Sequence, residues 1–282
     1  MMEARCAGKT FKDCFSLVSN VEVLGEGSFG TVVRRARDLE TNEEYAVKCV
    51  QLKRLSSRAR ADVEREVMVV KELSHPSLLR HFYSFQDRQE VYLVSELMRG
   101  GDLFDRLVLK GSFTEVEARR IVLCVVEGIR YLHEKDIVHR DIKPENVVLR
   151  EASKDNLQCV LCDFGFAKKL PSKDAMLRTD CGTQNYAAPE IFMGRLYGKG
   201  VDVWGLGVCT FMLVAGYHPF ADGSVTSLYT KVCSGRMNFE SDVWDSLSDE
   251  VKSFVCSLMT VDPAKRPTIQ DVSMHPWLLQ SA

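Results

Sequence analysis

At 282 residues with 45% apolar side chains, the chain can build one large domain or two lobes around a sizeable core. Its 37 basic and 39 acidic residues leave a formal charge of −2, so no polyanion-binding surface is indicated and nucleic acid is not an expected partner. Ten scattered cysteines with no signal-peptide pattern ahead of them fit a reduced, intracellular protein, cytoplasmic or nuclear. No membrane partner is expected either. The run from Val201 to Gly216 is apolar nearly all round, but it is too short to span a bilayer and carries Asp202, so it reads as a core helix. Met2 stands where a myristoylation signal would need glycine.

Residues 1–20 have weak periodicity and read as a short N-terminal extension. From Val21 the pattern turns to strand: Val21 and Val23 lead into Gly25-Glu26-Gly27-Ser28-Phe29-Gly30, and Thr31-Val32-Val33 follows. A GxGxxG run alone is more often a tight turn than a nucleotide site. Here strands flank it on both sides, which predicts a hairpin and not the strand-to-helix turn of a dinucleotide fold. Glycines at such a bend let backbone N–H groups close over phosphate oxygens with no Cβ in the way. The next strand is predicted over Asn42 to Leu52, where Ala46, Lys48 and Val50 share a face. Lys48 is either simply solvated there or, beside the glycine hairpin, able to reach the α- and β-phosphates of a nucleotide, for which it needs a carboxylate to hold it. A helix predicted from about Asp62 to Leu73 offers one. Val63, Val67, Val70 and Leu73 form its apolar stripe; Glu66 lies on that stripe and Glu64 nearly opposite. An acid in an apolar stripe is costly to bury unpaired, so Glu66 is read as the partner of Lys48, against the plainer alternative of a surface glutamate.

His75-Pro76 ends that helix, Leu78–Phe85 and Glu90–Met98 read as strands, and Arg99-Gly100-Gly101 breaks the pattern as a hinge. Asp102 then opens a helix, where the helix N-terminus favours a carboxylate. The clearest helix is Thr114–Glu134, with Ile121, Val125, Ile129 and Leu132 at helical spacing and Val122 and Val126 widening the stripe. It delivers the chain into His139-Arg140-Asp141-Ile142-Lys143-Pro144-Glu145-Asn146. Further on, Cys159-Val160-Leu161-Cys162 has metal-type spacing but no second pair, and reads as a buried strand ending at Asp163-Phe164-Gly165; Ala188-Pro189-Glu190 follows. Asp141 is expected to serve as base, or as orienting acceptor, for a substrate hydroxyl. Lys143 would offset charge on a transferring phosphoryl group. Asn146 and Asp163 offer hard oxygen ligands suited to Mg2+ on nucleotide phosphates. Singly, each is an ordinary loop residue; their order and spacing together resemble a known phosphoryl-transfer pattern, and it is that resemblance that implies these roles.

Val21 to about Leu278 resembles a eukaryotic protein kinase catalytic domain, and Lys143 within His-Arg-Asp-Ile-Lys-Pro-Glu-Asn is similar to its serine/threonine branch. Three features resemble the calcium/calmodulin-dependent group and the related calcium-dependent kinases. They are Gly100-Gly101-Asp102-Leu103-Phe104-Asp105, the polar insert Glu151–Gln158, and Asp163-Phe164-Gly165-Phe166-Ala167-Lys168; the last two also resemble protein kinase D. The resemblance implies an α+β, two-lobed fold. A small, mainly β N-lobe with one key helix would occupy about 21–98, and a larger, mainly α C-lobe about 99–279. It implies ATP and Mg2+ as cofactors. Leu24 and Val32, with Ala46 and Val148, would sandwich adenine, whose edge would bond the backbone at Glu96 and Met98. Ser95 falls at the gatekeeper position, where a small side chain would leave a pocket behind adenine or else simply fill a tight core spot. Glu190 would pair with Arg266, Asp202 would brace the catalytic loop, and Thr183 would contact Asp141 and Lys143.

By the same resemblance Thr179 is the expected activating site for an upstream kinase, with Arg140 and Lys168 placed to receive the dianion and Asp180 as a partial substitute. Asp102 and Glu145 resemble the acids that read an arginine three residues before the acceptor, while Met212 stands where some relatives place a further acid. The expected partners are therefore protein substrates of Arg-x-x-Ser/Thr type, and the enzyme is expected to be a monomer. Two departures stand out. Gln184-Asn185 replaces the usual Pro-and-small pair before Tyr186, and His81 falls where relatives put a leucine of the regulatory spine, either as a neutral core histidine or as a residue that loosens the active state. No EF-hand loop pattern and no calmodulin-binding helix after Trp277-Leu278 is visible, so regulation is expected from a longer chain or in trans. A catalytically dead scaffold would have lost Lys48, Asp141, Asn146 or Asp163, and a small-molecule phosphotransferase would not call for the Ala-Pro-Glu segment or Thr183.

Overall fold

The computed structural model describes residues 2–18, 23–27, 31–153, 156–172, 175–178, 182–220, 224–239 and 242–280. The chain divides into two compact units, Met1–Arg99 and Gly100–Ala282. The first is mainly sheet with one long helix and the second mainly helix, the α+β division that the sequence predicts.

The first unit runs through α1 (Met2–Cys6), α2 (Phe11–Cys14), β1 (Phe15–Leu17), β2 (Gly25–Gly27), β3 (Thr31–Asp38), β4 (Glu44–Gln51), α3 (Ser57–Lys71), β5 (His81–Gln86) and β6 (Glu90–Ser95). Its antiparallel sheet has the order β1-β3-β4-β6-β5, with β2 also pairing with β3. Lys48 sits opposite Val33 on one side and Leu93 on the other, which fixes it in the middle of the sheet. Helix α3 begins five residues before the predicted Asp62, because Ser56 caps it by accepting from the Ala59 N–H at 3.2 Å. It buries Glu66, Val67 and Val70 and leaves Glu64 exposed, as the stripe predicts, whereas Val63 is half-buried and Val69, off that stripe, is buried.

Residues 2–17 correct the sequence reading. They are not set apart as an extension but supply part of this unit's core: Cys6, Phe11, Cys14 and Phe15 are buried with Ala36, Tyr45, Val47, Phe85, Tyr92 and Val94. Phe11 stacks on Tyr92 with ring centroids 4.3 Å apart, and Phe15 meets Tyr45 edge-on at 5.7 Å. Strand alternation places Tyr45 and Val47 on the face of β4 opposite Lys48, so this segment covers the reverse side of the sheet from that lysine. Arg5 forks onto the buried Asp38 carboxylate, and that bond above all holds the Asp38 pKa down at about 2.

The second unit contains α4 (Leu103–Lys110), α5 (Glu115–Glu134), β7 (Ile137–Val138), β8 (Val147–Leu149), β9 (Cys159–Leu161), β10 (Lys168–Lys169), α6 (Pro189–Phe192), α7 (Gly200–Ala215), α8 (Val225–Ser234), α9 (Val243–Ser246), α10 (Asp249–Leu258), α11 (Ile269–Ser273) and α12 (Pro276–Leu279). Thr114 and Glu117 form a capping box that starts α5 at the predicted place. Helix α7 is buried from Val201 to Ala215, as a core helix should be, and Gly216 ends it in the left-handed region at φ 80°. Cys159 and Leu161 are buried in β9, paired with β8, as the apolar run predicts. Gly205 lets α7 approach the 139–146 loop: a Cβ there would lie 3.0 Å from both Cβ and O of Ile142. Among the described residues no helix is long and apolar enough to cross a membrane.

Candidate active site

The predicted residues form two groups, one in each unit. In the first, the Lys48 ammonium lies 2.6 Å from Glu66 Oε1, with side chains 22% and 6% exposed. A carboxylate this buried is tolerable because it faces a cation, and the pair fixes an otherwise flexible lysine. Gly25, Glu26 and Gly27 pair with Val33, Val32 and Thr31, so the near side of the hairpin is in place; Ser28, Phe29 and Gly30 lie outside the described residues. Ala46 is buried, Val32 half-buried and Leu24 exposed. Ser95 is buried opposite Ala46 and donates its hydroxyl to the Ala46 carbonyl at 3.3 Å. Glu96 donates its N–H to Arg80 O, and its side chain accepts from Arg80 N; Met98 is half-buried. Burial, and next the Lys48 charge, push the His81 imidazole down to about 4, so this residue is neutral at physiological pH.

In the second unit, Asp141 is 3% exposed and its two oxygens meet four donors. Oδ1 accepts from the Thr183 N–H at 2.9 Å and the Thr183 hydroxyl at 3.0 Å; Oδ2 accepts from Asn146 Nδ2 at 2.9 Å and the Lys143 ammonium at 2.9 Å. Lys143 also donates to Thr183 Oγ1 at 2.7 Å, so a hydroxyl sits between carboxylate and ammonium. Asn146 spends its Nδ2 on the Asp141 carbonyl and carboxylate, which leaves its carbonyl oxygen as the remaining ligand atom. Asp163 follows β9 with φ 58°, its Oδ1 accepting from the Gly165 N–H at 3.3 Å. Val148 lies in β8 opposite Val160.

What shapes this loop is Asp202. Its Oδ2 accepts from His139 N at 2.9 Å and His133 Nε2 at 2.8 Å, and its Oδ1 from Arg140 N at 2.8 Å. Burial alone would raise this carboxyl's pKa; the bond from His133 and the other donors outweigh it and hold the group below its usual value. Arg140 is left-handed at φ 71°, a strained state for a non-glycine residue, and the Asp202 bond offsets that strain. Gly182, at φ 86°, passes so close that a Cβ would meet Arg140 O at 2.5 Å. Arg140 donates to Phe166 O at 2.6 Å and to the Tyr197 hydroxyl at 3.0 Å. Arg266 forks onto Glu190 at 2.8 and 3.0 Å, both side chains buried.

Asp102 caps α4, accepting from Asp105 N at 2.8 Å, so the helix-cap alternative for it is realised. Glu145 Oε2 is buried without a hydrogen-bond partner among the described residues. Thr179 and Asp180 lie outside the described residues, and Lys168 is half-buried in β10 opposite Val138. Sequence reasoning missed His218, whose ring bonds the Asn185 carbonyl at 2.9 Å; a lone histidine in a loop carries no signal of its own.

Residues 18–278 match the family described as the protein kinase domain. The chain is 39% identical over 257 residues to the calcium/calmodulin-dependent protein kinase type 1 of Caenorhabditis elegans, covering 91% of this chain and 73% of that one. It is 37% identical over 261 residues to the human serine/threonine-protein kinase H1, with 92% and 61% covered. Against the calcium/calmodulin-dependent protein kinase cmkA of Emericella nidulans the identity is 38% over 255 residues, with 90% and 60% covered. The chain belongs to the protein kinase family and is a protein serine/threonine kinase.

Proposed function

We propose that this kinase moves the γ-phosphoryl group of magnesium-bound ATP to serine or threonine hydroxyls that follow an arginine by three residues, and that an upstream kinase activates it at Thr179. The observation that carries the first part is the Asp141–Lys143–Thr183 arrangement. It holds a threonine hydroxyl so that the carboxylate accepts its proton and the ammonium donates to its oxygen, the polarisation an acceptor hydroxyl needs. Asp141 would take the acceptor's proton as the new oxygen–phosphorus bond forms and the bond to the ADP oxygen breaks. Lys143 would offset charge on the transferring group. Lys48, steadied by Glu66, would bind the α- and β-phosphates, and the backbone of Gly25 to Gly30 would cover them. The Asn146 carbonyl oxygen and the Asp163 carboxylate make a hard-oxygen donor set that suits Mg2+. Bound there, the ion would neutralise phosphate charge.

The arginine preference draws on Glu145, whose Oε2 has no hydrogen-bond partner among the described residues and could accept from a substrate guanidinium. Asp102 would contribute its second oxygen. Arg140 uses Nε and Nη1 within the unit, which leaves Nη2 for a phosphate on Thr179. A monomer working in the cytoplasm or nucleus completes the reading. Transfer of radiolabelled phosphate from ATP to a peptide library, with Asp141→Asn as control, tests it. Transfer unaffected by Asp141→Asn refutes the mechanism. Proline-directed or acidic selection refutes the specificity, and full activity in Thr179→Ala refutes the activation.

A further inference from the structure

The segment directly after Thr183 has few backbone bonds of its own among the described residues. Gln184–Tyr186 forms a single 3-10 turn whose own bonds are Tyr186 N to Thr183 O at 3.0 Å and Ala187 N to Gln184 O at 3.1 Å, and both Gln184 and Asn185 are exposed. The Asn185 carbonyl, however, accepts from His218 Nε2 at 2.9 Å. The other ring nitrogen, Nδ1, accepts from the Phe220 N–H at 3.2 Å, so the proton must sit on Nε2 and the imidazole is the neutral tautomer that donates to Asn185. Burial lowers the pKa of this ring, in agreement. The ring also meets Tyr186 edge-on at 5.8 Å.

His218 is mounted on a stiff base. On one side Tyr217 takes the Trp244 indole N–H at 2.9 Å and donates to Asn238 O at 3.0 Å. On the other, fully buried Phe220 stacks on Trp204 at 5.6 Å, two residues along α7 from the Asp202 that shapes the 139–146 loop. Helix α7 thus carries both the Asp202 bonds to the 139–146 loop and the Trp204 support of Phe220.

We propose that His218 is a positioning residue for phosphoryl transfer: through the Asn185 carbonyl it fixes the 184–186 turn, and with it Thr183 against Asp141, so that a polypeptide acceptor meets a preset surface. Removing the bond loosens the turn and Thr183 while leaving the Asp141, Lys143 and nucleotide-binding side chains themselves unaltered. This rests on the phosphoryl-transfer reading above. The loss is confined to the acceptor.

The test compares wild type, His218→Phe and His218→Gln in the full chain, with ATP and an acceptor peptide each varied. Wild-type transfer and its loss in Asp141→Asn report on the underlying reading and are measured first. His218→Phe keeps the ring volume and drops the donor; a roughly three- to tenfold rise in the peptide KM is expected, the worth of one neutral hydrogen bond. The KM for ATP and slow ATP hydrolysis should hold within about twofold of wild type on the same estimate. His218→Gln, which restores an N–H, should recover part of the loss. The proposal is overturned if His218→Phe leaves the peptide KM unchanged, or if peptide and ATP parameters fall together. It is equally overturned if glutamine is no better than phenylalanine; should the phenylalanine variant not fold, the glutamine variant's KM split decides alone.

Discussion

Replacing Asp202 by asparagine removes a charge and almost no volume, so its cost isolates the bonds that hold the loop around Asp141. The carboxylate serves three donors: Oδ2 takes His139 N and His133 Nε2, and Oδ1 takes Arg140 N. An amide has one oxygen. Its better orientation keeps that oxygen on the two donors and turns its NH2 against the Arg140 N–H. One bond to a charged acceptor is lost, about 1.5–3 kcal/mol, and the other two weaken to neutral strength, for a total near 3–5 kcal/mol. Freed of its bond, Arg140 is less able to keep φ at 71°, and Asp141 moves with it. All three tryptophans, Trp204, Trp244 and Trp277, lie in the second unit, so urea unfolding followed by tryptophan fluorescence reads this unit alone. The expected result is a loss of about 3 kcal/mol or more with a fall in kcat of about tenfold or more. The Asp202 pKa is depressed in the folded state, so its stabilisation is complete above the ordinary value near about 3.9 and is lost as pH falls through the lower folded value. The difference between wild type and variant should therefore be flat from neutrality to about pH 4 and shrink below it. A loss under about 1 kcal/mol with unchanged turnover would refute the reasoning.

Glu66→Gln should leave the fold intact but release Lys48, lowering kcat by about 10²-fold, as expected when a positioning contact is lost; turnover near wild type would show that Lys48 does not depend on this partner. Phe11→Ala removes a ring that stacks on Tyr92 and meets Phe85 edge-on, at a cost of about 3–5 kcal/mol to the first unit. Amide hydrogen exchange in β4 and β6 measures it, and protection unchanged from wild type would deny residues 2–17 a part in that core. Ser95→Met adds volume at a buried position and should raise the inhibition constants of adenine mimics with bulky substituents by about tenfold or more; equal inhibition of both forms would remove the pocket.

The parts of this fold that could be read in the sequence are those where one residue breaks an otherwise regular pattern. Glu66 was legible because an acid on the Val67–Val70 side of a helix demands a cation, and Lys48 provides it. Helix α7 was legible from its apolar run, while the bracing role of Asp202 within it came from the family resemblance. The 139–146 loop was recognised by its resemblance to the protein kinase pattern, which its residue types and spacing carry. By contrast, α1, α2 and β1 span five, four and three residues, too short for any period to show. Their place is fixed by ring stacking and by the Arg5–Asp38 fork, contacts between residues far apart in the chain. His218 was illegible for a related reason: its role lies in a bond to a backbone carbonyl 33 residues away, and a carbonyl has no letter in the sequence.

The stretch that matches the family begins at residue 18, just past the aromatic rings that plug the reverse side of the first unit's sheet. A shortened protein starting at that boundary would look whole by homology yet leave Tyr45, Phe85 and Tyr92 facing water. Such a sticky wall invites self-association, so poor solubility in a trimmed preparation would report the missing plug and not a faulty catalytic apparatus.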